Sequence, residues 1–194
     1  DREIFSINEL IKEFSLERIQ KGGAVFNIQR LDWINGYYIR KMPIAELTSL
    51  CKPYLPNNSF APETLQKIVS LYQDRLKKLS EITEFTDFFF TEKLEYEKSL
   101  LQWKDATGQQ TKESLQKAHD LLNRVGESSW NRETLEQLLM PEAEKLSNRG
   151  FLLWPLRAAI TGKKASAGPF EVAEVLGKQQ TLQRIQESIR SLND

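Results

Sequence analysis

Hydrophobic residues recur along this chain at the three- and four-residue spacing of amphipathic α-helices. The apolar faces comprise Ile28, Leu31, Ile34 and Tyr38; Leu65, Ile68, Val69, Tyr72, Leu76 and Leu79; Leu115, Ala118, Leu121, Leu122 and Val125; Leu135, Leu138 and Leu139; and Leu182, Ile185, Ile189 and Leu192. No segment sustains the alternation of apolar and polar residues that a half-buried strand needs. The pattern therefore predicts an all-α protein.

Proline, glycine and capping residues predict where the helices begin and end. Asn27 can cap the helix that follows it, and Met42-Pro43 is expected to end that helix and to start the next. Residues 65–79 are expected to form a single helix. The remaining expected breaks are a turn-rich connection at 53–62, a charged connection at 91–96, loops at 108–111 and 126–129, a helix divided at Met140-Pro141 and a last helix that begins after Gly177.

The charge of the chain is balanced overall but concentrated locally. Its 194 residues include 27 basic and 27 acidic side chains. Between Lys145 and Phe170, however, all five charged side chains are lysine or arginine, and a Gly/Ser/Pro loop lies within this stretch. Such a concentration of positive charge indicates a local contact with a polyanion.

The residues that most often carry catalysis or bind metals are scarce. Cys51 and His119 are single representatives of their types, which excludes an internal disulfide and zinc sites made of several cysteines or histidines. No apolar run is long enough to span a bilayer. The run Phe88-Phe89-Phe90 is expected to pack in the core, because three successive helical residues point in different directions.

Two parts of the sequence resemble bacterial glutamyl-tRNA synthetase, a class I enzyme. The first part contains the matching segments 14–19, 23–27 and 30–40, and the second begins at Trp154-Pro155-Leu156-Arg157 and continues through 162, 176–178 and 182–185. The resemblance follows the whole chain in order, but residues 91–148 match only in helical character. It implies the C-terminal part of such an enzyme, with a stem-contact segment at 1–43 and two helical bundle subdomains, 44–92 and 93–194, that form an anticodon-binding cage.

The resemblance also implies partners and cofactors. The family's catalytic domain, which uses ATP and Mg²⁺, precedes this region, and neither of its ATP-binding signatures occurs here. We therefore interpret the chain, which begins without methionine, as a fragment that holds no cofactor and has no catalytic residues or ligase activity of its own. The implied partner is tRNA(Glu), and the implied protein is a cytoplasmic monomer.

Four residues of the second half match positions that read the first two anticodon bases. Arg157 matches the arginine that reaches the first base, where both U and C offer an O2 acceptor to a guanidinium. Ser166, Gly168 and Pro169 lie in the loop against the second base, a uracil that a hydroxyl and backbone groups can satisfy. Ala167 and Pro169 depart from a common family form, so we expect contacts through the backbone rather than through side chains.

Arg75 matches a position associated with the third base. Glutamate anticodons end in C, whose pairing edge accepts hydrogen bonds, whereas glutamine anticodons end in G, whose edge donates them at N1 and N2. An arginine there favours C and opposes G, which implies discrimination against glutamine tRNA. Contacts with the tRNA backbone, which position the RNA without reading it, are implied for Arg18, Lys21, Arg30, Arg40, Lys163 and Lys164.

Other interpretations remain open at this level. Arg157 can be a surface arginine packed over Trp154, Arg75 a solvated helix residue, and the loop at 166–169 a simple turn. The neutral chain can be a protein-interaction scaffold without a nucleic-acid role, or part of a synthetase that charges both glutamate and glutamine tRNAs. Trp33 is expected in the core and Asp32 beside an amide or arginine. A shared site requires that Arg75 and Arg157 lie close together.

Overall fold

The computed structural model describes residues 3–19, 22–23, 25–56 and 60–193. Within these ranges the chain forms helices, short 3-10 turns and loops and contains no β-strand, which confirms the all-α prediction. The α-helices are α1 (Ile7–Glu13), α2 (Ile28–Lys41), α3 (Ile44–Cys51), α4 (Pro62–Ser70), α5 (Ile82–Thr86), α6 (Gly108–Asn123), α7 (Arg132–Glu144), α8 (Gly150–Thr161) and α9 (Pro169–Ser191).

Side chains cap several of these helices. Asn27 Oδ1 accepts a hydrogen bond from the backbone N–H of Arg30 at 3.0 Å, as predicted. Thr107 and Gln110 bond to each other's backbone N–H groups and start α6 at Gly108. The predicted loop at 108–111 was therefore wrong. Gly108 suggested a break in the chain, but the Thr107 cap allows the helix to begin at this glycine.

Two predicted helix boundaries were also wrong. Helix α4 ends at Ser70, and the N–H groups of Arg75 and Leu76 both bond to the carbonyl of Tyr72 in the turn that follows. Helix α7 continues through Pro141, with Leu139 and Ala143 fully buried on its two sides. In both places tertiary burial outweighed the local signal. Buried apolar residues continue at helical spacing beyond the end of α4, and the packing of α7 keeps it helical across Pro141.

The expected breaks at Met42-Pro43, 91–96 and Gly177 are confirmed, and a short 3-10 turn, Glu127–Ser129, occupies the expected loop at 126–129. Part of the expected connection at 53–62, residues 57–59, lies outside the described residues. Helix α2 ends at Lys41 and α3 begins just after Pro43. In α9, Gly177 adopts φ 77° and ψ 167°, so the helical conformation is interrupted there and resumes beyond it. Phe88 and Phe89 are each 2% exposed, which confirms core packing for the phenylalanine run.

One cluster of buried hydrophobic residues runs from Ile39 to Ile189. Helices α6, α8 and α9 pack against one another at its centre, α7 packs on α9, and α3 packs on α4. Residues on both sides of the predicted boundary at 92/93 contribute to this cluster. The division into subdomains 44–92 and 93–194 stays a prediction.

A buried arginine, Arg184 of α9, joins this core to the chain near the predicted boundary. It is 2% exposed and donates to the carbonyl oxygens of Ile160 at 2.7 Å, Phe88 at 2.8 Å and Thr91 at 2.6 Å. Burial lowers the pKa of its guanidinium to about 10. Arg184 therefore ties α9 to the end of α8 and to residues 88–91, where the 91–96 connection begins.

The segment before α3 differs from the rest in that many of its large apolar side chains are exposed. Trp33 is 49% exposed, so the expectation of a core anchor was wrong. Asp32 pairs with the ammonium of Lys78 at 3.3 Å rather than with an amide or arginine. None of the helices in the described ranges is long and apolar enough to cross a membrane.

Candidate nucleic-acid interface

The end of α8 and the loop after it form the centre of the candidate site. Gly162 ends the helix in the left-handed conformation, with φ 66° and ψ 15°. Arg157 lies little more than one turn before this end, so its side chain reaches the returning loop. Its Nη1 donates to Lys163 O at 3.3 Å and to Ser166 Oγ at 3.2 Å, and its Nη2 donates to Lys164 O at 2.8 Å.

The face of Trp154 supports the same guanidinium. The central carbon of Arg157 lies 4.5 Å from the centroid of the Trp154 ring. Trp154 is itself held by a hydrogen bond from its Nε1 to Leu100 O at 2.8 Å. The packing that the sequence offered as an alternative for Arg157 is thus present, and it coexists with the contacts to the loop.

Tyr72 links this loop to Arg75. Its side chain is 0% exposed, its hydroxyl accepts the backbone N–H of Ala167 at 3.2 Å, and its ring stacks on Phe85 with centroids 5.5 Å apart. The guanidinium of the exposed Arg75 lies 5.8 Å from the Tyr72 ring. Burial raises the pKa of the Tyr72 hydroxyl, whereas the hydrogen bond from the Ala167 N–H and the charge of Arg75 lower it.

Tyr72 and the loop connect Arg75 to Arg157: Arg75 lies over the Tyr72 ring, the Tyr72 hydroxyl holds Ala167, and Arg157 holds the adjacent Ser166. The pKa of Arg157 is lowered, first by its partial burial and then by the positive charge of Arg75, since neighbouring like charges disfavour each other. The structure therefore brings together the two arginines that the resemblance had assigned to different anticodon bases. Two positive charges held near each other favour an anionic ligand.

The loop residues have both structural contacts and available groups. Ser166 is half-buried, and its hydroxyl accepts from Arg157 and donates to Ala167 O at 2.9 Å. Gly168 is the residue before α9, where a Cβ would lie 2.3 Å from an oxygen of Glu171, and Pro169 occupies the first turn of that helix. Gly168 and Pro169 thus start α9 at the edge of the site.

The predicted backbone contacts are dispersed. Lys163 lies at the site and pairs with Asp87, with Nζ 2.6 Å from Oδ2, while Lys164 is exposed beside it. Arg18 and Arg40 are exposed in the N-terminal segment, and Arg30 pairs with Glu3 there. Lys21 lies outside the described residues. Among the described residues, Arg18, Arg30 and Arg40 make no hydrogen bond or ion pair with the loop at 163–168, and all these roles stay predictions.

Sequence reasoning missed Tyr72 and Asp87 as members of the site. Tyr72 lies in an apolar stripe, which correctly indicates burial but does not reveal where its hydroxyl points. Asp87 is far from the basic stretch in sequence, and that stretch itself contains no acidic residue. The sequence therefore gave no sign that Asp87 pairs with Lys163. Only the basic, glycine-containing loop was a signal in the sequence.

The model of the anticodon binding domain family matches residues 46–189, which include Tyr72, Arg75, Arg157 and the loop. The chain belongs to this family. The described residues contain no group of three or more His, Cys, Asp or Glu side chains that could hold a metal ion.

Full-length relatives of this anticodon binding domain are glutamate–tRNA ligases. One from Clostridium tetani is 38% identical over 99% of the chain and 40% of its own length, and glutamate–tRNA ligase 2 of Thermoanaerobacter pseudethanolicus is 35% identical over 96% and 40%. A crystal structure of a glutamate tRNA ligase from Elizabethkingia meningosepticum in complex with its amino acid matches with a TM-score of 0.84 at 25% identity, over 98% of this chain and 38% of that one. The chain spans about 40% of the length of the curated relatives it matches. The resemblance to glutamyl-tRNA synthetase is confirmed.

Proposed function

We propose that this chain is the tRNA-binding, anticodon-reading part of a glutamate–tRNA ligase. The parent protein joins glutamate to tRNA(Glu) in the cytoplasm as a monomer, and it uses ATP and Mg²⁺ in a catalytic part outside this chain. The anticodon binding domain here holds the tRNA so that its acceptor end reaches that part. The observation that carries the proposal is that the loop at 163–168 is held by Arg157 on one side and by Tyr72, which lies under Arg75, on the other.

Arg157 suits the first anticodon base. Its three hydrogen bonds to the loop draw on a guanidinium that carries five N–H donors, so donors remain for a further acceptor. The O2 oxygen that U and C share is such an acceptor, and the Trp154 face fixes the plane of the fork. Partial burial strengthens a bond made by this arginine, because the effective dielectric constant there is lower than in water.

The loop at 163–168 suits the second base. Its backbone is held by Arg157, so its peptide groups keep fixed directions toward an incoming base. Fixed donors and acceptors recognise a base edge without an ordering cost at binding. Uracil, which combines one donor with two acceptors, is the base that the resemblance implies here.

A binding titration tests the proposal. The chain is mixed with synthetic anticodon stem-loops that carry a glutamate anticodon or a scrambled one, and affinity is followed by fluorescence anisotropy as salt is raised. We expect preferential binding to the glutamate anticodon and a steep loss of affinity with salt, because phosphate contacts release counterions. Arg157→Ala is expected to weaken binding about 5- to 150-fold, equivalent to about 1–3 kcal/mol.

The matched control is Arg190→Ala, which removes an exposed arginine near the end of α9. Its affinity should stay close to that of the parent chain. Binding that is independent of salt and anticodon, or equal losses in the two variants, would reject the proposal in favour of a scaffold without a nucleic-acid role. Equal binding to glutamate and glutamine anticodons would instead indicate a non-discriminating synthetase.

A further inference from the structure

The Tyr72 hydroxyl is a second anchor of the loop, and it acts at the residue that follows the last Arg157 contact. Arg157 holds Lys163, Lys164 and Ser166, while Tyr72 accepts the N–H of the next residue, Ala167, at 3.2 Å. Ala167 is 5% exposed and Tyr72 is 0% exposed, so water does not compete for this bond. The two anchoring residues, Tyr72 and Arg157, are 85 positions apart in the chain.

We propose that Tyr72 is a positioning residue that sets the base preference of the loop, an inference that rests on the proposed function. The bond from Ala167 to Tyr72 fixes the peptide group between Ser166 and Ala167, whose N–H is thereby withheld from any ligand. The carbonyl of Ala167 accepts the Ser166 hydroxyl at 2.9 Å. With these groups occupied, the loop presents one defined pattern of free donors and acceptors to the second base.

The ring of the same tyrosine supports the residue assigned to the third base. The guanidinium of Arg75 lies 5.8 Å from the centroid of the Tyr72 ring, and Phe85 stacks on the same ring with an interplanar angle of 13°. One rigid side chain thus contacts both groups that are proposed to read adjacent bases. The hydroxyl acts on the loop, and the ring acts on Arg75, so the two effects can be separated by removing the hydroxyl alone.

Tyr72→Phe removes only this hydroxyl. We expect hydrogen exchange of the Ala167 amide to become about tenfold faster, because a net hydrogen bond is lost. The preference for U over C at the second anticodon position is expected to fall by about two- to tenfold, while the preference for C over G at the third position stays the same. Exchange is measured by NMR, and base preference by anisotropy with stem-loops that differ at one position.

Tyr96→Phe is the matched control. Tyr96 also has a pKa raised by burial, and its hydroxyl shares a hydrogen bond of 2.7 Å with Ser188 in α9 rather than with the loop. Both variants should lose similar, small amounts of thermal stability, and only Tyr72→Phe should change Ala167 exchange and base preference. Because Tyr72→Phe keeps the ring that supports Arg75, any change in this variant reports the loss of the hydroxyl alone.

The outcomes separate this inference from the function on which it rests. If the parent chain prefers the glutamate anticodon and Tyr72→Phe leaves both Ala167 exchange and second-base preference unchanged, the positioning role is wrong and the proposed function stands. If both control and test variants change base preference equally, the effect is general destabilisation and the inference is also wrong. If the parent chain binds no stem-loop, the proposed function fails and the specificity role of Tyr72 fails with it.

Discussion

The guanidinium of Arg157 donates to the backbone carbonyl of Lys164 at 2.8 Å, so a side chain assigned to base recognition also shapes the loop beside it. The neighbouring contacts to Lys163 O and Ser166 Oγ extend the same arrangement. A planar fork makes such divergent bonds simultaneously and also stacks on a tryptophan. The two roles predict that this position is sensitive to the shape of the cation as well as to its charge.

Arg157→Lys is expected to lose most of the binding that Arg157→Ala loses. A lysine ammonium is a point donor that cannot span Lys163 O, Lys164 O and Ser166 Oγ or stack flat on Trp154. The measurement is stem-loop affinity in all three proteins at one salt concentration. A lysine variant that binds as tightly as the parent would show that charge alone is needed.

Arg75→Ala is expected to reduce the preference for anticodons that end in C over those that end in G by about 5- to 150-fold, equivalent to about 1–3 kcal/mol. Arg75 is exposed over the Tyr72 ring, so its removal should cost little folding stability. Stem-loops that differ only at the third position provide the measurement. An unchanged ratio of affinities would remove Arg75 from base discrimination.

Arg184→Met is expected to lower the free energy of unfolding by about 2–4 kcal/mol, because buried carbonyl groups lose their donors. The affected carbonyls belong to Ile160, Phe88 and Thr91. Urea denaturation measures the change, and Arg190→Met serves as the exposed control, with an expected effect within about 0.5 kcal/mol. Equal effects in the two variants would contradict a structural role for the buried arginine.

Gly162→Ala is expected to destabilise the chain by about 1–2 kcal/mol, since a residue with a Cβ is strained at positive φ. The added Cβ would also lie 3.1 Å from the Tyr96 ring. Gly126→Ala is a matched control, because Gly126 has φ −69° and open space around it. Its stability should be equal or slightly higher. Similar losses at both glycines would indicate that neither φ nor contact matters.

Cys51 predicts a stability change at alkaline pH. Burial raises the pKa of its thiol from 9.0 to about 11. Between these values the unfolded chain releases the thiol proton and the folded chain retains it, so stability is full below the lower value and falls as pH rises above it. Urea denaturation of the parent and of Cys51→Ala should therefore converge toward alkaline pH. A constant difference between the two proteins would contradict the raised pKa.

The helical fold was predictable to a large extent, because local signals and burial agree in most helices. Asn27 caps α2, Pro43 precedes α3 and Gly177 interrupts α9, and each acts through its own backbone or side-chain geometry. The errors arose where distant contacts outweighed such signals. Burial of Leu139 and Ala143 keeps α7 helical across Pro141, and burial of Tyr72 and Leu76 continues beyond the end of α4.

The sequence by itself determined the helical class, the family resemblance and the residue types that suit RNA, because hydrophobic spacing and the basic loop are local properties. Tertiary structure alone decided that Arg75 lies near Arg157, that Asp87 pairs with Lys163 and that Tyr72 holds Ala167. These pairs are separated by 76 or more positions in the chain. Their proximity follows from how α4, α8 and α9 pack, which no local pattern specifies.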